Sequence, residues 1–405
     1  MNFWIILYII DWFLYIGVAL TTIYLIVFAV ASLFNKHVKV DKAKRMNRFI
    51  ILVPAYKQDK VVMRGLKSIL GQTYPQRLFD VVVISDHESE VTNMRLAQFP
   101  VTLLTPNFEK STKAKSLQYA ILNLPEFKIY DAVVVLDADN IVEPEFLEQV
   151  NDAFESAGTK AIQVHRLPQN RDTPSARIDG IFEEINTSIF RRGHITLGLS
   201  AAVSGSGTIY DFNWFKQNIM KVRTAGEDKE LEAMLMRQFI YVDYFDHIYV
   251  FDEKTRHTND FNKQRVRWMQ NQFRHAFKNL RYLPSAFVNR QYDLADKIIQ
   301  WFLMPRILLV AIIFMMSVIL PFIYFSLAIK WWIIGFLLGS ALAIATPDYL
   351  VDQHWDSDFL HLPIRLVKSF LRALHINIPD IKLPKVKGPY NIFFNRQDVL
   401  KKLKR

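Results

Sequence analysis

The chain has no cysteine. That excludes disulfides, thiolate metal sites and a cysteine nucleophile, and it fits a protein whose working part lies in a reducing compartment. There is also no internal repeat and no low-complexity tract, so the 405 residues are left to hold one large domain with accessories, or two domains. Charge is missing from long stretches. Trp12 to Phe34 carries none, which is enough apolar helix to cross the hydrocarbon core of a bilayer, although Asp11 fits poorly in lipid just before it. The run has no basic region ahead of it and no small-x-small exit, as a cleavable signal would, and it reads as a permanent anchor. Ile307 to Ile329 is a second charge-free span. Lys330 interrupts, and the shorter run Trp331 to Thr346, closed by Pro347, is either the returning half of a hairpin with Trp331 and Trp332 at the interface or a re-entrant segment.

What is present starts with charge. A formal net charge of +11 suits nucleic acid, an anionic membrane surface or anionic substrates, and its placement decides among them. Lys36, Lys39, Lys42, Lys44, Arg45 and Arg48 follow the first apolar run and, by the positive-inside rule, keep the polar middle of the chain cytosolic. Two further spans return the net basic tail, 348–405, to the same side, with His354 and His361 in it as surface or packing residues.

The middle alternates strands and helices. Phe49 to Pro54, Asp80 to Asp86, Val101 to Leu104 and Ala132 to Leu136 are apolar runs of strand length, and the helical patterns Val61–Leu70 and Lys113–Leu122 lie among them. This spacing predicts right-handed crossovers and a doubly wound, mostly parallel α/β sheet. Ala161 to His165 adds a strand, and Ala176 to Phe190 a helix. Apolar runs of this kind are buried on both faces, and ligands of such sheets collect at the strands' carboxyl ends. Asp86 and the pair Asp137 and Asp139 stand there. A carboxylate pair suits a hard divalent cation that also holds phosphate oxygens, against the plainer reading of solvated or capping aspartates.

Three later stretches carry chemistry. Ser204-Gly205-Ser206-Gly207 lets backbone approach a ligand, or is an ordinary turn. Glu227 and Asp228 open a helical pattern, where acidic residues are favourable, and Asp228 is at its plainest a cap. Gln264, Arg267 and Trp268 share one helix face, an amide and a guanidinium beside an indole. Arginine holds phosphate in a fork, and an indole stacks on a sugar face; Lys263, Arg265 and Arg274 would equally suit a basic helix on anionic lipid.

In this order the motifs resemble the membrane-bound family 2 glycosyltransferases, the group of cellulose-, hyaluronan- and poly-N-acetylglucosamine-synthase-like enzymes, over residues 49 to 275. Asp86 matches their base-contacting aspartate, Lys113 in Thr112-Lys113-Ala114-Lys115 resembles their Gly-Lys nucleotide loop, and Asp137-Ala138-Asp139 matches Asp-x-Asp, whose second carboxylate holds the metal. Gly205 falls in the acceptor loop, Gly226-Glu227-Asp228 matches Thr-Glu-Asp with glycine for threonine, and Gln264-Arg265-Val266-Arg267-Trp268 fits Gln-x-x-Arg-Trp completely. Gln58 replaces the usual glutamate of the first loop unless Asp59 substitutes for it.

The resemblance implies a GT-A type domain over 48–282, between an anchor at 1–35 and an interfacial helix at 283–300, followed by a transmembrane hairpin at 303–347. It implies an inverting transfer from a nucleotide sugar, expected to be a UDP-sugar, to a growing polysaccharide or glycan. Asp228 would be the general base with Glu227 beside it, Asp139 and Asp137 would hold Mg²⁺ or Mn²⁺, and Asp86, Lys113 and Arg267 would bind the donor. Gly205, Gln264 and Trp268 would face the acceptor. Single addition to a lipid acceptor and a catalytically silent scaffolding subunit are the alternatives. No motif supports nucleic acid as partner. An export partner or a homo-oligomer would complete a channel that three spans do not supply, and a bacterial cytoplasmic membrane is the simplest home.

Overall fold

The computed structural model describes residues 3–34, 40–256 and 258–347; the basic tail with His354 and His361, and Lys36 and Lys39, fall outside them. The first helix, α1 (Phe3–Ser32), leads to the α/β region. There follow β1 (Phe49–Tyr56), α2 (Val62–Leu70), β2 (Phe79–Asp86), α3 (Glu90–Leu96), β3 (Thr102–Leu104), α4 (Lys113–Leu122) and β4 (Ala132–Val135). Then come β5 (Ile141–Val142), α5 (Phe146–Ala157), β6 (Ala161–Pro168) and α6 (Pro174–Thr187), which runs through a π-helical turn, Ser188–Gly193, into a short α7 (His194–Thr196). The rest is β7 (Thr208–Asp211), α8 (Phe212–Ile219), α9 (Glu227–Arg237), β8 (Val242–Asp252), α10 (Thr258–Leu280), α11 (Leu283–Val288), α12 (Tyr292–Phe302), α13 (Arg306–Ile323) and α14 (Phe325–Ala345).

The strands form one sheet in the order β3-β2-β1-β4-β7-β6-β8-β5. Pairs β1–β2, β2–β3, β1–β4 and β6–β8 are parallel, and β7 enters antiparallel between β4 and β6. Both faces are covered, as the apolar runs require. Ile50 and Leu52 point into a core with α4, α8, α9 and α12, while Phe49, Ile51 and Val53 pack with α2 and α5 on the other face. One-residue alternation therefore serves two cores, and any register slip would exchange them. The stretch expected as an interfacial helix, 283–300, is divided between α11 and α12, and α12 buries Leu294, Ile298 and Trp301 in the first core.

Where β6 meets β8 the register shifts between Val164 and His165. The buried His165 Nε2 lies 2.7 Å from Glu184 Oε1, and its Nδ1 is 3.2 Å from the Asp246 carbonyl. Burial works against the imidazolium, but Glu184 and Asp246 override it and push the pKa up to about 9. The folded value lies above the unfolded one of about 6.5. The stabilisation is thus complete below pH 6.5 and is lost as pH rises through about 9, on the order of 3 kcal/mol. Denaturant midpoints are expected to fall over that window, and His165→Asn to flatten the fall.

Three helices, 7–32 within α1, α13 and α14, are long and apolar enough to cross a membrane. The expected single span from Ile307 to Ile329 is instead broken at Tyr324, whose extended backbone separates α13 from α14 after Pro321 in the last turn. The two helices form an antiparallel hairpin in which Trp332 Nε1 donates to the Ser317 carbonyl at 3.2 Å. Lys330 does not end a span but lies inside α14, where it pairs with Asp11 of α1; Trp331 Nε1 donates to the same carboxylate at 2.8 Å. A lone carboxylate in an apolar helix is costly, and a cation plus an indole donor on the neighbouring helix answer that cost. At its other end α1 lies directly on the π-helical turn. A Cβ on Gly193 would sit 2.2 Å from the Phe28 carbonyl oxygen, so only glycine allows this approach.

Candidate active site

Strand ends, helix starts and the first turn of α13 enclose one cavity of about 830 Å³. Asp86, Lys113, Asp137, Asp139, Gly205, Glu227, Asp228, Gln264, Arg267 and Trp268, drawn from separate elements of the chain, all line it. Sequence separation up to that between β2 and α10 is thus closed by the sheet topology, which brings the ends of β2 and β4 to one edge and lays α9 and α10 across it.

At the far corner Asp86 ends β2 almost fully buried. Its Oδ1 lies 2.5 Å from His87 Nδ1, while Oδ2 is buried without a partner among the described residues. A buried acceptor of this kind is set for a donor from a ligand, such as a ring N–H of a nucleobase. Gln58 faces the cavity with Asp86. Asp59 accepts from Ser89 N and Oγ at 2.9 and 2.7 Å, at the start of α3.

The Asp137–Asn140 turn after β4 is fixed from inside. Fully buried Asn140 accepts from Asp137 N at 3.0 Å and donates to Asp139 Oδ1 at 3.2 Å. From below, α2 presses on it where Gly65 leaves room: a Cβ there would lie 2.5 Å from the Ala138 carbonyl oxygen and 2.9 Å from that of Asn140. Gly65→Ala should therefore shift the turn, and a donor KM raised about tenfold or more with an unchanged circular dichroism spectrum is expected. Lys113 at the start of α4 pairs with Asp137 and donates to the Gly205 carbonyl at 2.6 Å. Burial opposes its charge, but Asp137 and Glu227 prevail and raise its pKa.

Asp139 differs from Asp137. Burial, with Asp252 and then Asp137 adding repulsion against the pull of Arg166, pushes its carboxyl up to about 8. Around it Asp252 and Asp137 outweigh Arg166, and its hydrogen-bond partner is a neutral amide. A divalent cation fits that surplus, with Asp139 as the protein ligand and Asp137, already engaged by Lys113, beside it. Among the described residues no group of three or more His, Asp or Glu side chains forms a complete metal cage. A cation here would therefore take its remaining ligands from phosphate and water, as Mg²⁺ commonly does.

Below Asp139 lies a charge cluster that the sequence patterns did not reveal. Arg166, at the end of β6, pairs with Asp252, and Lys254 Nζ reaches Asp252 at 2.9 Å. Glu183 of α6 accepts from Arg191 at 3.2 Å. Asp252 ends β8, where the run Ile248-Tyr249-Val250-Phe251 before it carries the same apolar-run-to-aspartate signal as Asp86 and Asp137.

Across the cavity α9 begins at Gly226, with Glu227 buried and Asp228 partly open to the cavity. Burial lifts Glu227 to about 7; Lys113 pulls it down and Asp228 pushes it up. On α10, Gln264 accepts from Thr255 Oγ1 at 3.1 Å, Trp268 is 44% exposed, and Arg265 stands 5.3 Å over its ring. The helix is held by α12 and by buried His275 and Asn279, which leaves this face to the cavity.

A sheet of this topology, with acidic strand ends opening into a cavity beneath apolar helices, is of the GT-A type that glycosyltransferases use. The chain belongs to the glycosyltransferase-like family 2, whose family model matches residues 47–271, more than half of it, and it is a glycosyltransferase. It is similar in fold to a mannosyltransferase, PcManGT from Pyrobaculum calidifontis, solved with GDP-Man and Mn²⁺: TM-score 0.50, 14% identity, over 88% of this chain and 99% of that one. The S. aureus TarS 1-349 structure with UDP-GlcNAc matches with TM-score 0.40 and 15% identity, over 81% of this chain and 89% of that one. No curated protein matches the sequence.

Proposed function

We propose that the protein is a membrane-anchored, inverting glycosyltransferase that moves a sugar from a nucleoside diphosphate donor to a hydroxyl of a glycan acceptor. What carries the reading is the convergence of Asp86, Asp139, Asp228 and Arg267 on one cavity from four separate elements. PcManGT was solved with GDP-Man, which supports a nucleotide sugar as donor class.

In this reading Asp86 accepts from the base, and Asp139 with Asp137 faces the diphosphate. The Mn²⁺ in the PcManGT structure supports a divalent cation here, which when bound supplies Lewis-acid neutralisation of the diphosphate. Arg267 adds a guanidinium to the departing phosphate, and Lys113 orients Asp137. Asp228 takes the proton as the acceptor oxygen attacks the anomeric carbon from the face opposite the leaving group. Glu227, kept partly protonated by burial, holds the rim between Lys113 and Asp228. Trp268 and Gln264 make the floor for the acceptor sugar, with Gly205 as its backbone edge. The basic residues after α1 support a cytosolic site, with 48–282 as the catalytic domain and 303–347 as a membrane hairpin.

The test is release of nucleoside diphosphate by the full chain in detergent, over a panel of UDP- and GDP-sugars with Mg²⁺ or Mn²⁺ and native membranes as acceptor. Release from one donor, lost on chelation, is expected. Silence with every donor would return the chain to a scaffolding role.

A further inference from the structure

The cavity does not end at the catalytic residues. It continues past Phe182 and Phe190 to Leu25 of α1 and to Leu303, Met304 and Leu308 at the start of α13, both membrane-length helices. At the junction between its polar and apolar parts two guanidiniums flank one ring: Arg265 stands 4.7 Å and Arg306 5.4 Å from the Phe182 centroid. Arg265 is paired with Asp179 at 2.6 Å. Arg306 has a neutral partner, donating from Nη2 to Asn186 Oδ1 at 2.7 Å, and its Nη1 is buried without a partner among the described residues. Glu183, the acidic side chain within electrostatic reach, is already shared by Arg166, Lys254 and Arg191.

We propose that the acceptor is carried on a membrane lipid through a phosphate, and that Arg306, with Arg265 across Phe182, holds this phosphate while the lipid chain leaves past Leu25 and Leu308. This rests on the glycosyltransfer reading above and names its acceptor. In that reading the donor's diphosphate is met by Asp139 and Arg267, so a further cationic station at Arg306 and Arg265 implies a second anion. An arginine with an unused donor matches a phosphate oxygen, and burial strengthens the bond. The apolar wall beyond it has no use for a free sugar phosphate but fits a prenyl or acyl chain. The lipid phosphate is not consumed. The bond from the anomeric carbon to the donor diphosphate breaks, a new one forms to the acceptor oxygen, Asp228 receives the hydroxyl proton, and the nucleoside diphosphate leaves.

The experiment measures binding of prenyl phosphate, prenol and inorganic phosphate to the full chain in neutral detergent by native mass spectrometry. Inhibition of nucleoside diphosphate release by the same three compounds is followed alongside. Prenyl phosphate should bind at least about tenfold tighter than either fragment and inhibit turnover, the size expected for one buried charge-assisted contact. Arg306→Gln should remove that preference and Arg306→Lys keep part of it. Asn186→Asp, which retains the arginine but supplies a competing carboxylate, should also remove it, and it reads the site even if Arg306→Gln does not fold. Equal binding of prenol would show an apolar groove without a phosphate site, and equal binding of inorganic phosphate a free-anion site. A preference unchanged in all three variants would place the phosphate elsewhere; each of these results overturns the proposal. Donor turnover in the same samples separates the two readings: turnover without the lipid-phosphate preference sinks this inference alone, and loss of turnover in the unmodified chain sinks the glycosyltransfer reading.

Discussion

Asp228→Asn is expected to lower transfer by about a thousandfold, within the range of about 10² to 10⁴ that a positioned general base contributes. The isosteric amide keeps the volume and the start of α9 but cannot take a proton. Because Asp228 acts on the acceptor hydroxyl, the loss should fall on kcat, with donor KM moving only a few-fold. Glu227→Gln is the informative companion. Glu227 is buried at the Lys113 end of the rim and already lifted to about 7, so the amide removes part of what holds Lys113 and should show in donor KM rather than as loss of the base. The measurement is initial-rate kinetics of nucleoside diphosphate release with acceptor varied at fixed donor. If Asp228→Asn keeps more than about a tenth of kcat, the base is another group and Glu227 is next in reach.

The parts of the site legible in the sequence are those where a local pattern ends on a polar residue. Asp137 terminates an uninterrupted apolar run and Asp86 follows one after a single serine, and such runs in a doubly wound sheet fix both the strand and the edge at which its last residue emerges. Gln264, Arg267 and Trp268 were legible because three residues at i, i+3 and i+4 need nothing but a helix to share a face. The ion cluster under Asp139 was not legible. Arg166 lies one residue past the Ala161–His165 run, and its partner Asp252 closes a separate run, Ile248 to Phe251, so each strand is legible alone and nothing local announces the pair. Such a contact is set by β6 lying beside β8, a fact of topology. The membrane region divides the same way. Its apolar content was plain, but the break at Tyr324 falls inside an unbroken charge-free run. Lys330 looked like an interruption until Asp11, on the first helix, was found against it.

Asp139→Asn is expected to lower kcat/KM at fixed Mn²⁺ by about a hundredfold or more, and to shift the metal concentration for half-maximal rate upward by a similar factor. Asp139 has no cation of its own, whereas Asp137 is engaged by Lys113 and Asp252 by Arg166 and Lys254, so its charge is the one left for a divalent ion. The amide keeps the hydrogen bond with Asn140 within reach, so the turn should persist while the charge is lost. The opposite sign is expected for stability. A half-buried carboxylate set against two others is a cost that the metal-free protein carries, and removing it should raise the metal-free Tm by about 2–4 °C. Added Mn²⁺ should then raise the Tm of the unaltered chain and leave that of Asp139→Asn nearly unmoved. Thermal scans of both proteins, with and without Mn²⁺, read all four states. A variant that is less stable without metal and still stabilised by it would mean that Asp139 holds the turn rather than the ion.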